Sequence, residues 1–130
     1  MLVKIKTKEL IKNKALELFN EKGSHRITTN HIADAMGISP GNLYYHYSNK
    51  EEIIRDLFAE ATAAFQKLWD VLTDVSAAEM LSLFRESARV YYAYRFFYME
   101  MPMLIARDPE LAAVYSANHA RNLEVYTRIA

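Results

Sequence analysis

The sequence contains no cysteine. That one absence excludes a disulfide scaffold, a zinc–thiolate centre and a thiol nucleophile, and it agrees with a reducing cytoplasmic setting. Glycine and proline number three each in 130 residues, so little punctuates the chain and long helices are expected. No apolar run approaches the roughly 18 residues that span a bilayer, and no membrane partner is expected. Residues 1–14 are basic but lack an apolar core followed by a cleavage site, which argues against a signal peptide. The marks of catalysis are missing too. His25, His31, His46 and His119 have no metal-ligand spacing, and His25 and His31, six apart, do not share a helix face. There is no Gly-rich phosphate loop and no nucleophile elbow, and the acids are scattered over helix surfaces. Neither an enzyme, nor a metal site, nor a bound cofactor is expected.

What is present is a largely apolar chain, 52% by composition, which suits a packed core. Its net charge of zero hides an asymmetry. Residues 1–50 carry eight Lys/Arg against four acids, a balance of +4, and residues 51–130 carry eight against twelve, a balance of −4. A basic head on an acidic body points towards a polyanion partner, although ordinary surface scatter gives the same numbers.

The apolar pattern is helical nearly throughout. Ile11, Ala15, Leu18 and Phe19 recur at helical spacing and leave Lys8, Lys12, Lys14 and Glu17 outward. Thr7 is the expected cap and Gly23 the stop, for a helix over residues 8–22. Lys4, Lys6 and Lys8 are expected in a mobile basic arm. Thr28 or Thr29 caps a second helix, which Gly37 ends. Ser39 with Pro40 opens a short third helix over residues 40–46. Asn49 and Glu52 open a long fourth helix to Asp74, about 25 residues spanning about 37 Å. Its apolar face runs from Ile53 to Leu72. Ser76 caps a fifth helix over residues 77–100 that Pro102 breaks, with a short turn over residues 103–107. Asp108-Pro109-Glu110 starts a last one.

Residues 28–50, TTNHIADAMGISPGNLYYHYSNK, carry the functional signal. Ile32, Ala33 and Met36 form an inner face, with Ala33 small where two helices cross. Gly37 turns the chain, Ile38 plugs the turn, and Leu43 and Tyr47, four apart, anchor the short helix inward. Pro40, Gly41, Asn42, Tyr44 and His46 are left on or near the exposed side, and Tyr45 is expected to be partly packed. A helix-turn-helix holds its second helix in this way for the DNA major groove.

From about residue 7 to residue 58 the sequence resembles the TetR family of regulators. The resemblance rests on Phe19-Asn20-Glu21-Lys22-Gly23, Thr28-Thr29, Ile32-Ala33, Gly37-Ile38-Ser39, Leu43-Tyr44-Tyr45-His46-Tyr47 and Asn49-Lys50-Glu51-Glu52-Ile53, in that order and spacing. It implies an all-α fold, with a three-helix DNA-binding domain joined by a long helix to a helical ligand and dimerisation domain. The expected division is residues 1–50, with the fourth helix packing on to about residue 58, and residues 51–130. By the resemblance, Thr29, Tyr44 and Lys50 grip phosphates and His46 lies near them, while Asn30, Pro40, Gly41 and Asn42 face base edges. His46 is equally readable as a helix C-terminal cap. The short helix has no Arg, so strong guanine reading from it is not expected.

The resemblance further implies a double-stranded DNA operator, a small-molecule effector and a homodimer. Phe84, Tyr91, Tyr94, Tyr98 and Met101 are the candidate pocket residues, with a packed aromatic core as the competing reading. Arg85, Arg89 and Arg95 could hold a ligand carboxylate, although Glu79, Glu86 and Glu100 are nearer partners. Family members carry further C-terminal helices that pair into the dimer, and this chain is expected to stop short of them. The alternative function is a DNA-binding architectural or cell-division factor of the same fold with no small-molecule switch.

Overall fold

In the computed structural model, which describes residues 5–70 and 75–129, local turn chemistry sets the first boundaries. Gly23, at φ 85°, stops α1 (Thr7–Lys22), and a single 3-10 turn follows at Ser24–Arg26. Thr28 caps α2 (Thr29–Met36), and Gly37 ends it in the left-handed region at φ 68°, where a β-carbon is costly. Ser39 caps α3 (Pro40–His46) by accepting the Asn42 N–H at 3.1 Å. Asn49 caps α4 (Lys50–Trp69) by accepting the Glu52 N–H at 2.9 Å. The Glu52 carboxylate accepts from Ser48 rather than from Asn49, so the expected capping box is displaced by one residue. Thr7 is not a cap. It is the first helical residue, and Lys6 precedes it with no side-chain bond.

The described part of α4 holds 20 residues, about 30 Å at 1.5 Å per residue. The expected extension to Leu72 and Asp74, like Lys4 of the basic arm, lies outside the described residues. Two compact units make up the chain, residues 1–99 and residues 100–130.

In the first unit α1 packs on α2, α3 and α4. The core is Ile11, Ala15 and Phe19 of α1, Ile32 and Ala33 of α2, Leu43 of α3, Tyr47, and Ile53, Ile54, Leu57, Phe58 and Ala61 of α4. Each large apolar side chain buried there is worth about 1.5–3 kcal/mol. The periodicity had placed Lys12 on the outer face, and the structure buries it. Its ammonium meets Glu60 of α4 and, at 3.0 Å, Glu9 one turn back. The α1 stripe next to the core therefore faces α4, and a charge there survives because two carboxylates surround it. Lys8 is not part of a loose arm either, since its ammonium lies 4.7 Å from the centre of the Tyr47 ring.

The fifth helix also differs from its sequence expectation. α5 (Ala77–Ala93), capped by Ser76 with Glu79, stops well before Pro102. The break is at Tyr94, with φ −114° and ψ 29°. α6 (Arg95–Arg107) then runs through Pro102. Proline removes a backbone donor and crowds the carbonyl four residues back, yet here the helix continues on both sides. The break at Tyr94 has a tertiary cause. Asn20 of α1 donates to the Ala93 carbonyl at 2.8 Å and accepts the Phe96 N–H at 3.1 Å. Phe96 lies against Phe19 (ring centres 5.1 Å apart) and Phe97 stacks on Phe58 at 4.7 Å. The Tyr94 hydroxyl donates to Glu60 at 2.6 Å.

In the second unit Asp108 caps α7 (Pro109–Ile129), accepting the Glu110 and Leu111 N–H groups at 3.1 and 3.3 Å. Leu111 is buried, and the Tyr115 and His119 rings stack. Seven α-helices and no strand are found among the described residues.

Burial works to lower the Lys12 pKa, but hydrogen bonds and charges from Glu60 and Glu9 outweigh it and hold the ammonium above the ordinary lysine range. Burial and then the bond to Glu60 push the Tyr94 phenol up, and burial with Asp56 does the same for Tyr47. All three folded-state values are raised, so their stabilisation is fully present at neutral pH and is lost as pH climbs above about 10. The urea midpoint is expected to fall steeply there, and less steeply in Tyr94→Phe. Lys12→Met is expected to lower stability at pH 7 by about 1–3 kcal/mol, less than for a fully enclosed pair because Glu60 is partly exposed. Equilibrium urea unfolding checks both.

Candidate nucleic-acid interface

A seven-residue helix cannot hold itself in water, so α3 depends on what lies behind it. Leu43 and Tyr47 are fully buried. The Tyr47 hydroxyl donates to Asp56 of α4 at 2.5 Å. In front, Pro40, Gly41 and Asn42 are exposed, and so are Tyr44 and Tyr45. The start of α2 is equally determined. The Thr28 hydroxyl accepts the His31 N–H at 3.2 Å, and His31 Nδ1 accepts the Thr28 N–H at 3.1 Å. A histidine thus fills the capping-box position usually held by Glu or Gln. The result is a helix-turn-helix with the outer surface of α3 and the start of α2 on one side.

The expected contact residues divide into two groups and two single residues, Lys50 and His46. Thr29 and Tyr44 come together, their hydroxyls 3.0 Å apart across the two helices. Tyr44 is 48% exposed, so its ring is not packed away on α4. Asn30, Pro40, Gly41 and Asn42 form the exposed group. At Gly41 the backbone φ is not positive, and an added β-carbon would meet nothing closer than the Ser39 hydroxyl at 4.0 Å. The fold itself does not require that glycine. Lys50 stands apart. It is half-buried, and its ammonium donates to the Ser24 and Ile27 carbonyls at 2.8 and 3.1 Å. It therefore ties α4 to the 3-10 turn, a structural role the motif did not announce. His46 is half-buried at the end of α3, edge-on to Tyr45 at 5.0 Å.

Two family models match the chain. One, described as bacterial regulatory proteins of the tetR family, matches residues 11–57. The other, described as bacterial transcriptional repressor, matches residues 51–129. The chain belongs to the TetR family. It is similar to the HTH-type transcriptional regulator UidR of Escherichia coli, 29% identical over 119 residues that cover 87% of this chain and 59% of that protein. It is also similar to IcaR of Staphylococcus epidermidis, a negative transcriptional regulator of the biofilm operon icaADBC, 46% identical over 48 residues (37% of this chain, 26% of that protein). A TetR-family transcriptional regulator from Marinobacter aquaeolei VT8 has a crystal structure that superposes with a TM-score of 0.90 at 38% identity, over 96% of this chain and 63% of that one. The chain thus spans about three-fifths of the length of UidR and of the Marinobacter protein.

Within this TetR-family chain the candidate pocket residues are not equivalent. Tyr94 is buried and bound to Glu60. Tyr91 stacks on Tyr98 at 4.0 Å, and Phe84 meets Trp69 edge-on at 6.0 Å, with Phe84 and Tyr91 both exposed. Met101 lies in the second unit. Of the arginines, Arg89 pairs with Glu86 at 2.9 Å, as the nearer-partner reading had it. Arg95 lies on the Tyr92 ring at 4.3 Å and donates to the Tyr92 carbonyl at 3.1 Å.

Sequence reasoning missed one surface residue. Tyr45, expected to be partly packed, is 84% exposed. Leu43 and Tyr47 turn their side of α3 inward, and at 100° per residue Tyr45 points away from both. That geometry was available from the spacing alone.

Lys50→Met is expected to lower folding stability by about 1–3 kcal/mol through loss of the ammonium from the Ile27 carbonyl and from the Ser24 carbonyl, which keeps the Ile27 N–H at 3.3 Å, measured by urea unfolding in the absence of DNA. Unchanged stability would show that the two bonds contribute nothing.

Proposed function

We propose that this chain is the DNA-binding head and the first part of the effector and dimerisation domain of a cytoplasmic transcriptional repressor. Residues 1–50 form the head and residues 51–130 begin the second domain. The repressor binds a near-palindromic double-stranded DNA operator as a homodimer and releases it when a small molecule binds. The observation that carries this reading is the two-faced α3. Its rear is anchored by Leu43 and Tyr47, and its front offers Pro40, Gly41, Asn42, Tyr44 and Tyr45. The +4 balance of residues 1–50 supplies the long-range attraction. The repressor direction is supported by the description of the matching model and by the printed role of IcaR.

In this mechanism two copies place α3 in successive major grooves, about 34–36 Å apart. The Thr29 and Tyr44 hydroxyls, with His46, take phosphates and fix the register. Asn30 and Asn42 offer amides to base edges. Gly41 lets the backbone come close, and Pro40 gives an apolar contact. The effector acts in the second domain, where Phe84, Tyr91 and Tyr98 are the candidate lining.

Genome-wide mapping of bound sites is expected to return one inverted-repeat motif. Binding to it should weaken steeply with salt. Asn42→Ala should change which operator is preferred, and Tyr44→Ala should weaken binding alike on all sequences. Gly41→Ala separates fold from interface. It should raise thermal stability by about 0.5–1 kcal/mol, yet weaken operator binding by about tenfold or more, a cost of about 1.4 kcal/mol. If that variant binds like the wild type, α3 does not approach DNA through Gly41.

A further inference from the structure

We propose that Asn20 is a coupling residue, linking occupancy of the DNA-binding head to whether α5 and α6 stand broken at Tyr94 or run on as one helix. The inference rests on the DNA-binding reading above. It starts from a disagreement between local sequence and structure. Residues 91–97, Tyr-Tyr-Ala-Tyr-Arg-Phe-Phe, hold neither Gly nor Pro, and nothing local stops a helix there. In a continuous helix the Phe96 N–H would reach the Tyr92 carbonyl and the Phe97 N–H the Ala93 carbonyl.

At the break each of these groups has another partner. Asn20 Oδ1 accepts the Phe96 N–H and Asn20 Nδ2 donates to the Ala93 carbonyl. The Arg95 guanidinium donates to the Tyr92 carbonyl at 3.1 Å. The Phe97 N–H turns to the Tyr94 carbonyl at 3.1 Å. One amide side chain on α1 thus replaces two backbone partners, and the two helical arrangements compete for the same donors and acceptors. Such a pair of discrete alternatives is what carries coupling between sites. Asn20 is well placed to bias it. It sits on the last turn of α1, next to Phe19, and α1 also packs directly on α2 and α3. A shift of α1 when α3 is loaded with DNA moves the amide relative to its two partners. By reciprocity, whatever favours the continuous helix weakens the head's hold on DNA.

The test uses the full chain and a duplex that it selects from a random-sequence pool. Amide hydrogen exchange is followed over residues 93–97 with and without that duplex. In the wild type, exchange there should slow by about fivefold or more on binding. Asn20→Ala removes both bonds that hold the break, so by the same reciprocity it should bind the duplex more weakly, by up to about fivefold. It should also show no slowing over residues 93–97. Asn20→Asp keeps the acceptor for Phe96 and loses the donor to Ala93, so it should show a reduced slowing. It serves as the comparison if the alanine variant does not fold. A wild type that binds the duplex without any change at residues 93–97 overturns the coupling and leaves the DNA-binding reading intact. Slowing equal to wild type in either variant does the same. Failure to select any duplex overturns both.

Discussion

Everything in the head depends on holding a seven-residue helix that has no stability of its own. α3 buries one face, Leu43 and the following Tyr47, and Tyr47 is fixed from three sides. Its ring is enclosed in the core, Lys8 of α1 lies over it, and its hydroxyl is bound by Asp56 of α4. Removing water from that phenol would be costly without a partner, and the carboxylate supplies one. The front of α3 can be polar, small and exposed because the rear is held so firmly. Rigidity also matters for recognition, since a base-edge contact has value only if the helix does not pay an ordering cost on binding.

The same logic extends to the junction with α5 and α6. Lys12, Glu60 and Tyr94 form one chain of charge and hydrogen bonds across α1, α4 and the helix break. Beside it Phe19–Phe96 and Phe58–Phe97 supply apolar contact. Buried charges of this kind add little net stability compared with a well-packed apolar replacement, but removing one partner is costly. They therefore fix which residues meet more than how tightly the helices pack. The first 50 residues and residues 93–97 are joined in this way through α1 as well as through α4.

Much of this was legible in the sequence. Gly23, Gly37, Ser39-Pro40, Asn49, Ser76 and Asp108-Pro109 mark boundaries by local backbone chemistry, and each boundary falls where that chemistry puts it. The inward pair Leu43 and Tyr47 follows from helical spacing. What was not legible is tertiary. Lys12 reads as an outer lysine until Glu60, 48 positions away, is brought alongside. The break at Tyr94 has no local cause, and its agent is an asparagine 74 positions earlier. Pro102 misled for the opposite reason, because its local signal to stop is present and α6 nevertheless runs through it. Lys50 was legible as a cation near the interface but not as one whose ammonium already bonds two carbonyls of its own chain.

The character of the exposed face follows from its side chains. α3 carries no Arg and offers no bidentate guanidinium for guanine. Its polar reach consists of one amide, Asn42, two phenols and a histidine, with Asn30 added from α2. Phenols and hydroxyls suit phosphates, which are identical at every base pair. In the proposed complex an interface weighted in this way would hold DNA firmly but distinguish sequences with few groups. Two consequences follow. In the proposed docking the backbone must come close enough for Asn42 to reach a base edge, which would give the otherwise dispensable Gly41 its reason. And in the proposed dimer the flexibility of the operator would contribute to selectivity, because the phosphate positions that two fixed α3 helices can reach depend on how readily the duplex bends and narrows between them.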